Sequence, residues 1–152
     1  MNSDAPHFSI KSFVGTWQLE SFTETLRDGR IVEPMGKKPQ GFLLYTQDGI
    51  VSAQLSGDSG GADDDSSEEL GRTGETRRTA PYIGYCGKFT VNSDRQEVVH
   101  SPAVAHDDKL IGLALHRHFR IDSDRLTLRT LAGEAGTDIV EARLVWLRYR
   151  PI

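Results

Sequence analysis

The sequence predicts an all-β fold: an antiparallel up-and-down barrel of about eight strands, with a long polar loop or short helix at its mouth. Three observations lead there. Apolar residues alternate with polar ones in short runs, the period-two pattern of strands with one face in a core. Turn-forming residues interrupt these runs at short spacing, as in sandwiches and barrels. Most connections are too short for a crossover, so consecutive strands pair as neighbours.

In chain order, residues 1–10 read as an N-terminal tail and residues 13–25 as the first strand, with Gly15-Thr16-Trp17 near its start. Arg27-Asp28-Gly29-Arg30 is a hairpin signal. Pro34, Gly36 and Pro39 mark an irregular crossing before strands at 41–46 and 50–55, which turn at Gln47-Asp48-Gly49. The stretch 56–79, rich in Gly, Asp and Ser, is too polar to supply core and reads as a loop or a lid over a pocket. Ser66 and Glu69 have the spacing of a capping box for one short helix there. Strands follow at 85–91, 96–101, 110–121, 125–130 and 139–150, with turns at Asn92-Ser93-Asp94, Asp122-Ser123-Asp124 and 133–136.

The chain of 152 residues fits one domain over 1–152 with a substantial core. Hydrophobic residues make up 37% and charged residues 26%, a globular balance. A net charge of -4 argues against a nucleic-acid partner. No apolar run approaches the roughly 20 residues of a membrane span, so no membrane partner is expected. The first residues lack the basic and apolar regions of a secretory signal, and Cys86 is the single cysteine. A cytoplasmic location is therefore the expectation.

The segments GTWQLESF, GFLLYTQDGIVSAQL, YIGYCGKFTV, HRHFRIDSDRLTL and ARLVWLR span nearly the whole chain. Together they resemble the bacterial and fungal lipocalin-like domain family, with Gly15-Thr16-Trp17 matching the Gly-x-Trp start of calycins. The resemblance implies a lipocalin-like β-barrel around a central cavity, but it does not fix one chemistry. Similar small barrels include plain binders and cofactor-free cyclases and isomerases of natural-product pathways. A signal peptide and a disulfide pair, both typical of secreted lipocalins, are missing from the pattern.

An eight-stranded barrel holds one small ligand, and strand parity says which side chains face it. Within 110–121, Leu113, Leu115, Arg117, Phe119 and Ile121 share the apolar parity, while Ala114, His116, His118 and Arg120 take the other. Arg117 thus stands in an apolar row, where a guanidinium needs a fixed partner or a ligand oxygen. Ala142, Leu144 and Trp146 form the inner row of the last strand, with no acid among them. Tyr85, Gly87, Phe89 and Val91 make another inward row, in which Gly87 lets the sheet bend or leaves room for a guest. His100 shares parity with Val98 and is the candidate acid–base group, its ordinary pKa lying near neutrality. Trp17 and Leu19 point inward, with Trp17 a plug at the barrel base on which Arg148 stacks. In 50–55, Val51, Ala53 and Leu55 are the more apolar face, with Ser52 and Gln54 kept as pocket candidates on the other. Tyr82 is placed to close over the mouth.

His116-x-His118 suggests a metal pair, but its parity is outward and it lacks a third ligand. The Asp63-Asp64-Asp65 run with Glu68 and Glu69 lacks calcium-loop spacing. Phosphate-loop and nucleophile-elbow patterns are missing too, so no metal and no cofactor is expected. Cys86 has outward parity and reads as inert.

The expected ligand is a small, mostly apolar oxygenated metabolite, hydrophobic or amphipathic, held inside the barrel. The expected activity is that of a cofactor-free isomerase or cyclase of polyketide or terpenoid secondary metabolism. The alternative is a non-catalytic intracellular binder or carrier. Arg117, His100 and Tyr85 are the catalytic candidates. Trp17, Tyr45, Ser52, Gln54, Tyr82, Phe89, Leu115, Phe119, Leu144 and Trp146 are the candidate ligand contacts. A homodimer is left open, and a protein-interaction role through the outer barrel surface is the remaining alternative.

Overall fold

The computed structural model describes residues 6–58, 69–70, 76–77, 81–131 and 138–151. A four-residue helix α1 (Ile10–Phe13) leads into β1 (Gly15–Leu26), β2 (Ile31–Val32), β3 (Gln40–Tyr45) and β4 (Ile50–Ser56). Then come β5 (Glu69–Leu70), β6 (Thr76–Arg77), β7 (Tyr82–Asn92) and β8 (Glu97–Ala105). A 3-10 turn (Asp108–Leu110) precedes β9 (Leu115–Asp122), β10 (Arg125–Leu131) and β11 (Ile139–Arg148).

Eight of these strands pair in the order β1-β3-β4-β7-β8-β9-β10-β11, all antiparallel, and β11 returns to β1 to close the barrel. β2 is an extra strand on the side of β1, where Glu24 pairs with Val32. β5 and β6 pair with each other. Their pairing, Glu69 with Arg77 and Leu70 with Thr76, gives an antiparallel ribbon where a helix starting near Ser66 is expected. The remainder of the expected lid lies outside the described residues.

Three tight hairpins share one end, the base. They lie between β3 and β4, β7 and β8, and β9 and β10. At the Asp28-Gly29 and Asp48-Gly49 turns, the glycines take φ of 93° and 92°. These are left-handed values that suit glycine and give the Asp-Gly signal its physical basis.

The base is filled. Phe13, at the end of α1, meets Tyr45 and Phe119 edge-on at 5.2 and 4.9 Å, and Tyr45 meets Phe89 at 4.7 Å. Phe8, within the expected tail, packs edge-on against Phe119, and its N–H donates to Ser93 Oγ at 2.8 Å. Beside this cluster Trp17 is fully buried, and its indole N–H donates to the Phe13 carbonyl at 2.9 Å. Arg148, its register partner on β11, lies over the Trp17 ring at 4.1 Å and donates to the Val14 carbonyl at 3.1 Å.

Several local expectations change. Residue 13 ends a helix rather than beginning a strand. The strand expected from residue 110 begins at Leu115, because Gly112 at φ 87° breaks the run, and Leu113 is 46% exposed rather than interior. The strand expected at 96–101 continues to Ala105 past Pro102. Pro102 is tolerated because it sits at a bulge, where Gly87 pairs with Pro102 and Cys86 with Val104. Gly87 leaves room for backbone, not for a guest: a Cβ there would lie 1.9 Å from the Ser101 carbonyl oxygen.

The bulge makes a clear prediction. Gly87→Ala must push the β8 backbone away and should lower unfolding free energy by about 3 kcal/mol or more in urea titrations. Gly29→Ala meets open space and carries only the cost of its positive φ, about 1 kcal/mol. Equal losses at the two sites would contradict the crowding account.

Candidate ligand-binding site

Above the aromatic base the barrel is hollow. The cavity has a volume of about 230 Å3. That exceeds the roughly 150 Å3 that admits a benzene-sized guest. Leu43, Ala53 and Leu55 contribute one side of the wall, and Ile83 and Tyr85 continue it. Across from them stand Phe22 of β1, Leu128 and Thr130 of β10, and Ala142, Leu144 and Trp146 of β11. His100 and Arg117 complete the lining from β8 and β9. These residues share the inward parity of their strands, so the alternation of the sequence builds a mostly apolar chamber.

Its polar end is a chain of three neutral rings beside one cation. His100 is 1% exposed and is held on both sides. Its Nε2 is 2.7 Å from the Tyr45 hydroxyl and its Nδ1 is 2.6 Å from the Tyr85 hydroxyl. Burial, and then the nearby Arg117 charge, push the His100 pKa down to about 3. Burial pushes both phenols up, Tyr45 well above its ordinary value, while Arg117 pulls each of them partly back. All three rings therefore stay uncharged near neutral pH.

Hydrogen-bond accounting then fixes the protons. A neutral imidazole donates from one nitrogen and accepts at the other. Among the described residues, His100 is the one hydrogen-bond partner of the Tyr45 hydroxyl. If Nε2 carried the proton, the fully buried Tyr45 O–H would have no acceptor, at a cost of about 1–3 kcal/mol. So Tyr45 donates to Nε2, and Nδ1–H donates to the Tyr85 oxygen. The Tyr85 hydroxyl hydrogen is left free to point into the chamber.

Arg117 is half-buried and donates to the His116 carbonyl at 3.2 Å. Among the described residues no carboxylate pairs with it, whereas several other strand arginines have acidic partners, as Arg129 has Glu141 at 3.3 Å. Trp146 adds a further unmet donor: its indole Nε1 is buried and has no acceptor among the described residues.

Of the residues singled out from sequence, Arg117, His100, Tyr85, Leu144 and Trp146 converge on the cavity, and Tyr45 stands behind His100. The others stand elsewhere. Trp17, Phe89 and Phe119 are packed into the base, and Leu115 sits beside His100 without lining the chamber. Ser52 and Gln54 have the outward parity of β4. Tyr82 is 47% exposed and donates to Gln54 Oε1 on the outer surface, its ring lying over Gly84 rather than the mouth. Phe22, Leu43, Ile83, Leu128 and Thr130 were not singled out, though counting parity from Tyr45 and Tyr85 reaches Leu43 and Ile83; Phe22 is turned inward by a bulge in β1 between Leu19 and Ser21, which alternation from Trp17 does not foresee. His116 and His118 face outward, with His116 on Glu97 at 3.0 Å, and among the described residues no group of side chains suits a metal ion.

The buried imidazole predicts a pH dependence. Below its ordinary value of 6.5 the unfolded chain takes up a proton that folded His100 refuses down to about 3. The unfolded state then binds more protons, so stability falls as pH falls across that window. The loss approaches something on the order of 5 kcal/mol at the acid end. Urea titrations from pH 7.5 to about pH 4 should show a steeper decline for the wild type than for His100→Gln; parallel curves would refute the buried neutral assignment.

The family model described as a lipocalin-like domain matches residues 14–149. No curated protein matches the chain significantly. The matched span runs from the residue before β1 to the residue after β11, and so takes in the entire barrel and its cavity. The chain belongs to the lipocalin-like domain family.

Proposed function

We propose that the barrel binds a small, mostly apolar oxygenated metabolite and rearranges it without a cofactor, as an isomerase or cyclase of polyketide or terpenoid type. The observation that carries this reading is the Arg117 guanidinium standing beside the Tyr85 hydroxyl in a wall that is otherwise nearly all apolar. A closed apolar chamber folds a flexible guest into one shape, which supplies orientation. Donors fixed at one point stabilise negative charge as it gathers on a carbonyl oxygen. His100 serves as a positioning residue: with both nitrogens engaged and its pKa near 3, it aims the Tyr85 hydrogen rather than taking a proton itself.

The same fact favours a second reading, a non-catalytic carrier. Among the described wall residues none is a free base at neutral pH, so reactions that require proton abstraction lack an agent. Rearrangements driven by folding and by charge on one oxygen do not need it.

Purified protein incubated with a panel of polyketide- and terpenoid-type ketones distinguishes the two, with product mass and stereochemistry followed. An isomer or ring-closed product that forms with wild type and is lost by about a hundredfold in Arg117→Met supports the enzyme. Guests recovered unchanged from a tight complex support the carrier. Retention that persists after Leu128→Trp, which fills the chamber, would place the guest outside the barrel and end both readings.

A further inference from the structure

The polar side chains of the chamber are lopsided in a way that specifies the guest further. Arg117 offers donors and no acceptor. The Tyr85 oxygen already receives the His100 N–H and faces Arg117, so what it has left to give is a hydrogen. Both His100 nitrogens are engaged. The Trp146 indole N–H, buried in the wall, has no acceptor among the described residues. Thr130 carries the one wall hydroxyl able to give or receive freely. Against these donors the described wall sets no carboxylate and no unengaged carbonyl-bearing side chain. A guest that brings a donor or a positive charge would leave buried hydrogens facing one another, whereas a guest that brings lone pairs and negative charge completes those of Arg117 and Tyr85.

We infer that the guest is an oxyanion, a carboxylate or the enolate of a β-dicarbonyl, seated with its charged end on Arg117 and Tyr85 and its apolar body against Leu128, Leu144 and Phe22. This rests on the cavity being a binding site, as argued above, and goes further by naming the charge and chemistry of the ligand. The guanidinium fork suits both sources, since each presents two oxygens in one plane. The body is compact: a chamber of about 230 Å3 admits a single ring or a short branched chain.

The test uses two sets of probes and titration calorimetry on the full chain. In the first, hydrocinnamate, hydrocinnamyl alcohol and the matching primary amine share one body and differ at the polar end. The carboxylate should bind at least about tenfold more tightly than the alcohol, and the amine least of all. In the second, benzoylacetone is bound near neutral pH and its ultraviolet spectrum recorded, with the enolate band expected at a pH where the free compound is still protonated. Preference in the first set assigns a carboxylate, an enolate band assigns a dicarbonyl, and either supports an oxyanion guest. In Arg117→Met, checked for fold by circular dichroism, the carboxylate and alcohol should bind within about twofold of each other and the enolate band should vanish. Should that variant not fold, the wild-type ranking and spectrum decide alone. If alcohol and carboxylate bind equally to the wild type and no enolate band appears, the oxyanion is overturned while ligand binding stands. If no probe binds in either set, the oxyanion and the binding site fall together.

Discussion

The guanidinium of Arg148, stacked over the buried Trp17 ring, ties the last barrel strand to the first at the point where the sheet closes on itself. It also donates to the Val14 carbonyl, and the indole of Trp17 donates to Phe13, so the turn that carries α1 is locked beneath the barrel. Gly15 makes this possible, because a Cβ there would lie 2.9 Å from Arg148 Nη1. The aromatic side chains of α1, β3, β7 and β9 then fill the base with edge-on ring contacts. With one end sealed and packed, the space left by an eight-stranded ring is displaced to the other half, and that is where the chamber lies.

The chamber's electrostatics follow from its dryness. Burial does most to hold the imidazole neutral and to raise both phenols, and the poorly compensated Arg117 cation adds to the first effect and partly offsets the second. In such surroundings a single well-placed hydrogen is worth more than it is in water. Tyr45, which never reaches the chamber, matters through His100: by donating to Nε2 it decides which proton the imidazole keeps, and so which way the Tyr85 hydroxyl turns.

The fold was legible because strands announce themselves by alternation and by Asp-Gly turns, and the alternation broke only locally, as at the β1 bulge and at Gly112. Side-chain direction was legible for the same reason: Arg117, His100, Tyr85, Leu144 and Trp146 could be placed inside by parity alone. Depth could not. Phe89 and Phe119 have the parity of wall residues, yet they lie in the base, because the level of a residue in a tilted barrel depends on the stagger of all its neighbours. Nor could the Tyr45–His100–Tyr85 chain be foreseen, since it joins three strands across 55 and 15 residues of sequence. Gln54 and Tyr82 misled for a different reason: polar side chains were expected to seek a polar pocket, but they satisfied each other on the outer surface.

The division of labour between charged post and apolar wall has an evolutionary consequence. Arg117, Tyr85 and His100 are mounted on three ladder-paired strands, so drift in the surrounding connections leaves their spacing intact. Leu128, Leu144, Ile83 and Ala142 each touch the guest space through a few methyl groups, and exchanges among aliphatic side chains of similar bulk are cheap. Descendants of such a barrel can switch the body of their cargo by single substitutions while keeping the same handle, which gives one scaffold a ready path to many related molecules.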